Sequence, residues 1–227
     1  LVERLNRFPH GVAPTESLYA ILRVMFSEDE ARLMSFMPIG NFTIKHASKK
    51  WKKSYEESRE ILEGLASRAL LIDIEHKGEM QYLLPPALIG FFEFAMMRIG
   101  TNLDQKAMSE LFYAYVCVED DFILELMTDM TTQLGRALVQ EETIEDKNLY
   151  VLDYEKASKI IENAEQVALG VCYCRHVKHH LGEACDAPLE TCMSFGNGAK
   201  SLAKNGYAKL ISKDEACKIL GESKKNN

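Results

Sequence analysis

Four of the six cysteines fall within 21 residues, as Cys172, Cys174, Cys185 and Cys192, with the spacing C-x-C-x10-C-x6-C. Thiols grouped this way in a reducing compartment argue for metal or redox chemistry over disulfides. If Cys172 and Cys174 end a strand, both side chains point to one face, with α-carbons about 6.6 Å apart at ~3.3 Å rise per residue. Two further thiolates from the following loop then close around one centre. Four thiolates suit either a 4Fe-4S cluster or a tetrahedral zinc ion. Cys185 and Cys192 sit among Gly, Asp, Pro and Glu, and Pro188 and Gly196 suit a loop that wraps tightly. Cys117 and Cys217 stand apart, on helical stretches where a thiol serves as a small core hydrophobe.

The residues leave the metal open. The bacterial ferredoxin run C-x2-C-x2-C-x3-C-P is absent, as are the C-x2-C knuckles of common zinc sites. His176, His179 and His180 either replace a thiolate, which favours zinc, or form a solvated basic loop. Arg175 and Lys178 offset the charge of a four-thiolate centre or meet an acidic partner surface.

The elements that must position these thiols begin with helices. Leu18, Ile21, Leu22 and Met25 recur at helical spacing. Ser27 with Glu30 is a capping box that starts a helix carrying Ala31, Leu33, Met34 and Met37 and ending at Pro38. Helices over Ile44–Trp51 and Ser54–Ser67 follow, then two β-type runs, 70–75 and 80–84, around Lys77-Gly78. Pro85 and Pro86 end this hairpin, and an apolar helix through Phe91, Phe92, Phe94 and Met97 comes next. Helices leading into a hairpin is the order of a winged-helix unit.

Two helices are expected over Asp104–Val118 and Asp120–Leu138, then a solvated acidic linker, Glu141–Asp146. The last part reads as a strand Leu149–Leu152, a helix Tyr154–Glu165, a strand Val167–Tyr173 and a Cys-rich loop. A helix Ala199–Lys204, a strand Tyr207–Ile211 and a helix Lys213–Leu220 follow, the last with Ser212 and Glu215 as a capping box. The expected class is α+β, mostly helical. A winged-helix-like helical unit (1–100) is followed by a helical connector (101–148) and a small α/β metal-binding unit (149–227).

Composition narrows the function. The chain has 227 residues, 47% hydrophobic and 27% charged, the balance of a folded protein. No stretch is apolar enough to span a membrane, and residues 1–16 hold no secretion signal, so a cytoplasmic location is expected. The chain begins at Leu1, so the natural N-terminus is expected upstream. The net charge of −7 divides into zero over residues 1–100, −10 over 101–169 and +3 over 170–227. Lys49, Lys50, Lys52 and Lys53 precede the fourth helix, but that helix carries Glu56, Glu57, Glu60 and Glu63 with only Arg59. Such a face repels phosphates, which argues against DNA and for a protein-interaction or dimerisation role, with a homodimer as one partner. No P-loop, G-x-G-x-x-G, G-x-S-x-G or metalloprotease motif is present. Catalysis therefore stays open, with electron transfer or binding favoured.

Cys172-x-Cys174-Arg175, followed by Cys185, Pro188 and Cys192, resembles bacterial and archaeal 4Fe-4S ferredoxin-type iron–sulfur binding proteins. The stretch from Ala208 to Ala216 and the helix–hairpin order of the first hundred residues are similar to that family as well. The resemblance implies a 4Fe-4S cluster held by Cys172, Cys174, Cys185 and Cys192, electron transfer, and a redox partner protein. Family members continue into ferredoxin-type cluster motifs that this sequence lacks, so the expectation is either a fragment of such a protein or one whose electron-carrying portion is disordered or absent. The alternative is a winged-helix regulator or interaction protein with a structural or sensing zinc site.

Overall fold

The computed structural model describes residues 1–9, 11–119, 138 and 156–225. Local sequence signals open most of its helices. After α1 (Val2–Leu5), the Thr15 side chain accepts the N–H of Leu18 and starts α2 (Glu16–Met25). Ser27 and Glu30 exchange hydrogen bonds of 2.9 and 3.2 Å, the expected capping box, and start α3 (Glu28–Ser35). Thr43 caps α4 (Ile44–Trp51), and Ser54 with Glu57 forms a second box for α5 (Tyr55–Ser67).

The hairpin is β2 (Ile72–His76) and β3 (Glu79–Leu83), joined through Lys77 and Gly78, both with positive φ, as a tight two-residue turn requires. A two-residue strand, β1 (Phe42–Thr43), pairs antiparallel with β3 and gives the sheet order β1-β3-β2. Two residues are too few for an alternation to show in the sequence, so this strand was not expected.

Beyond Pro85-Pro86 the chain departs from the expected continuous helix. Residues Ala87–Phe91 form a wide turn in which Leu88, Ile89 and Gly90 leave helical geometry, and only α6 (Phe92–Ala95) is regular. Buried Glu93 is the cause: its carboxyl accepts the N–H of Gly90 at 2.9 Å, which bends the backbone back upon it. Then α7 (Gln105–Tyr113) runs into a π-helical turn, Ala114–Val118, over the span expected to be one helix. The expected helix 120–138 (except Leu138), the acidic linker 141–146 and the strand 149–152 lie outside the described residues, as does most of the expected connector between them.

The C-terminal part begins with α8 (Ala157–Asn163) and β4 (Val167–Val171), followed by α9 (Tyr173–His180) and β5 (Glu190–Phe195). It closes with α10 (Gly196–Lys204), β6 (Ala208–Ile211) and α11 (Lys213–Lys225). A second antiparallel sheet has the order β5-β4-β6. The molecule is therefore α+β, with two small three-stranded sheets among mostly helical elements. Among the described residues, no helix is long and apolar enough to cross a membrane.

One large apolar core runs through α2–α5, the first sheet and α7, and it takes in Val177 of α9, with Tyr173 packed at its margin. A smaller cluster of Ala69, Met97, Leu202 and Tyr207 joins the hairpin side to the second sheet, with Cys192 against it. Asp73 of β2 adds a polar clamp. Its buried carboxylate accepts from Ser201 Oγ at 2.5 Å, from Asn205 Nδ2 at 2.9 Å and from Lys204 Nζ.

Candidate functional site

The candidate site forms where β4 hands over to α9. β4 reaches this point by way of Gly170. A Cβ there would lie 2.7 Å from Met97 Cε and 2.9 Å from the Tyr207 carbonyl oxygen, so a side chain would push the strand off its neighbours. Gly170 faces Cys192 and Val171 faces Glu190, a register shift that leaves Thr191 as an extra residue on β5. The Cys172 N–H then donates to the Leu189 carbonyl at 2.6 Å and ends the pairing. Cys172 is the N-cap of α9, and the first helical bond runs from the His176 N–H to its carbonyl at 3.0 Å.

This hand-over corrects the expected placement of the thiols. The strand stops at Val171, so Cys172 and Cys174 occupy the opening of a helix and not one face of a strand end. The helix forms because Tyr173, Val177 and Leu181, spaced by four, all pack on the large core. Val177 and His176 are buried, so the segment expected as a loop is held down by its apolar face. His176 is no loop residue: its Nδ1 meets the Met96 carbonyl at 2.7 Å and its Nε2 lies 3.2 Å from His180 Nε2, while His179 is exposed. Burial, and then the neighbouring His176, lower the pKa of His180.

Cys172 is half-buried, and its thiol is pulled from an ordinary 9.0 down to about 5. The largest cause is the Cys174 thiol donating toward it. Partial burial opposes this, while the N–H groups of Arg175 and Cys174 and the Arg175 charge favour the thiolate. The same interaction pushes the Cys174 thiol upward, since an anion at Cys172 makes a second one costly. The proton of the pair therefore rests on Cys174. The Tyr173 hydroxyl, raised chiefly by burial, donates to Cys174 in turn. Arg175 is fixed by donating from Nη1 to the Pro188 carbonyl at 2.5 Å and to Thr191 Oγ1 at 3.1 Å. Cys192, on β5, is pushed up to about 11 by burial, with smaller contributions from the charges of Cys172 and Glu93. Burial raises the Glu93 carboxyl as well, against the N–H groups of Gly90 and Ile89 that face it. Ile89 is β-branched yet has φ 54°, a strained left-handed backbone held beside this carboxyl.

The four expected ligands thus divide. Cys172 and Cys174 interact directly, and Cys192 feels the Cys172 charge from the next strand. Cys185 is exposed in the loop between α9 and β5. Among the described residues, no group of three or more His, Cys, Asp or Glu side chains is placed to hold a metal ion. The expectation of a 4Fe-4S cluster, or of zinc, on Cys172, Cys174, Cys185 and Cys192 is therefore overturned. The reason is local: the first two thiols turn into a helix start instead of facing a wrapping loop. Cys117 and Cys217, expected as buried hydrophobes, are both exposed.

Sequence reasoning missed Glu93 and Tyr173 as neighbours of the thiols. The available signal was a single carboxylate inside the run Phe91-Phe92-Glu93-Phe94, where an unpaired charge has no place in a core. Comparison with protein-family models, with curated proteins and with solved structures finds no match for this chain.

Proposed function

We propose that this protein carries out thiol redox chemistry, with Cys172 as the attacking thiolate and Cys174 as the thiol that resolves it. The observation that carries this reading is the convergence on the Cys172 sulfur of the Cys174 thiol, two backbone N–H groups at a helix start and a tethered Arg175. Low-pKa, accessible thiolates at helix N-termini are the reactive ones. The likeness of Cys172-x-Cys174-Arg175 to iron–sulfur proteins supports the redox class without their cofactor.

The exchange balances as follows. The Cys172 thiolate attacks one sulfur of a partner's disulfide, forms a mixed disulfide and expels the other sulfur as a thiolate, which takes a proton from solvent. Cys172 no longer carries charge, so the repulsion that kept Cys174 protonated is gone. Cys174 gives its proton to solvent, attacks the Cys172 sulfur and releases the partner's second thiolate. Two electrons pass from the dithiol to the partner disulfide. Residues two apart at a helix start keep their α-carbons within the roughly 4.4–6.8 Å that a disulfide spans. Cys192, protonated at neutral pH, is a reserve thiol on the adjoining strand.

The first hundred residues are read as a winged-helix-like interaction module, supported by helices α2–α5 leading into the β2–β3 hairpin. Its helix α5 exposes Glu56, Glu57, Glu60 and Glu63, and Arg59 is paired with Glu56 at 2.8 Å. That face favours a basic protein partner over DNA.

The reading is tested by mixing reduced protein with oxidised glutathione and mapping disulfides by peptide mass spectrometry. A Cys172–Cys174 disulfide is expected in the native chain, glutathione trapped on Cys172 in Cys174→Ser, and at least 100-fold slower exchange in Cys172→Ser. Unchanged exchange in Cys172→Ser, with Cys185 or Cys217 carrying the adduct, would overturn it.

A further inference from the structure

A cavity of about 590 Å3 lies among the end of α2, the end of α5, the segment 95–103 and the turn from α10 to β6. Its size falls within the roughly 300–1,000 Å3 of small-molecule sites, which favour such junctions. Its lining combines apolar Met25, Leu70 and Leu103 with the cations Arg68, Arg98 and Lys204. Among the described residues, no carboxylate lines it.

The three cations are not equivalent. Arg68 is committed to Glu30 at 2.5 Å and to the Met25 carbonyl at 3.1 Å, and Lys204 to buried Asp73. Arg98 has no carboxylate partner among the described residues. Its guanidinium lies over the Tyr207 ring at 4.6 Å and donates only a long 3.3 Å bond to the Asn205 carbonyl. Stacking fixes the plane of the fork and leaves its edge for an oxyanion.

The surroundings hold that fork in place. Buried Gln105 donates from Nε2 to the Arg98 carbonyl at 2.5 Å and accepts the Gly100 N–H at 3.1 Å, which rivets the loop that carries Arg98. Gly206 has φ 76°, and a Cβ there would sit 3.3 Å from Arg98 Nη1, so glycine keeps the guanidinium's place open. Beside Arg68, buried Ala69 has φ 57° because it ends α5, with the Leu70 N–H donating to the Leu65 carbonyl at 3.1 Å. Burial raises the pKa of Tyr207, and the charges of Arg98 and Arg68 oppose it.

We propose that this cavity is a binding site for a small organic oxyanion, a carboxylate or a phosphate monoester, with its charged group on Arg98 and its compact apolar body against Met25, Leu70 and Leu103. The site is independent of the thiol exchange. The cluster of Ala69, Met97, Leu202 and Tyr207 lies between them, with Tyr207 facing the cavity and Cys192 packed against the cluster.

The test is calorimetric titration of the full chain with benzoate, phenyl phosphate and, as the neutral control, benzyl alcohol. At least one anion is expected to bind saturably and at least 10-fold more tightly than benzyl alcohol, and the two anions tell carboxylate from phosphate. Arg98→Gln is expected to remove that advantage. Asn102→Trp, an exposed position on the cavity wall, is expected to weaken all three probes while leaving Arg98 in place. Absence of saturable anion binding, equal binding of the neutral probe, or an anion preference that survives Arg98→Gln in a folded variant would each overturn the proposal.

Discussion

Cys172 and Cys192 show how the same side chain is set to opposite states by its surroundings. At the start of α9 a thiolate meets donors and a cation and is held down; one strand away, burial and like charge hold the thiol up to about 11. Glu93 follows the second pattern, since burial outweighs the N–H groups that face its carboxyl. Its folded pKa is raised, so below about pH 4.5 both folded and unfolded states keep the proton and nothing is lost. As pH rises from there, the unfolded chain ionises first and the fold loses stability, until the folded carboxyl ionises too. Glu93→Gln, which keeps the acceptor for Gly90, is expected to gain thermal stability over the native chain between pH 4 and 7, with no gain at pH 4. Thermal melts across that range check it, and a constant difference would show that burial of the charge is not the cause.

Among the elements, α2, α3, α4, α5, the hairpin and the last helix were legible because each carries its own punctuation: a Thr or Ser cap, a Glu three residues on, or a turn that tolerates positive φ. α9 and β5 were not. Along α9 and its C-cap the core-facing stripe is Tyr173, Val177 and Leu181, and the histidines and Lys178 mask it until the core is seen beneath it. β5 has no clean alternation, because Thr191 is the bulged residue and shifts the register by one. Of the candidate site, the C-x-C pair and Arg175 were legible in sequence. Glu93 and the nearness of Cys192 depend on pairing across more than 20 residues of chain. Gly170 is the hinge of that pairing. Gly170→Ala is expected to cost about 1–3 kcal/mol, the usual range for overpacking a filled core. Chemical denaturation measures it, and a change within 0.5 kcal/mol, roughly that of a surface substitution, would mean that the strand can move aside.

For the whole molecule, the segments that differ in charge along the sequence share packing in three dimensions. Val177 enters the N-terminal core, and Asp73 on the hairpin binds three side chains of the segment 201–205. The sequence could not show this clamp, since its members lie 128 to 132 residues apart. Removing the carboxylate strands the Ser201 and Asn205 donors, so Asp73→Ala is expected to lower stability by about 2 kcal/mol. The second sheet should then loosen before the N-terminal core. Hydrogen exchange would detect this as faster opening in β4–β6 than in α2–α5, and uniform acceleration would contradict it.

The central claim is that Cys172 is a thiolate at the pH where ordinary thiols are not. The direct measurement is the alkylation rate of each cysteine by iodoacetamide between pH 4 and 9, followed by peptide mass spectrometry on the folded chain. The account predicts that Cys172 is modified first and that its rate is half-maximal near pH 5, the level set by Cys174, the helix start and Arg175. A transition for Cys172 at about pH 8–9, where an unperturbed thiol ionises, would contradict it.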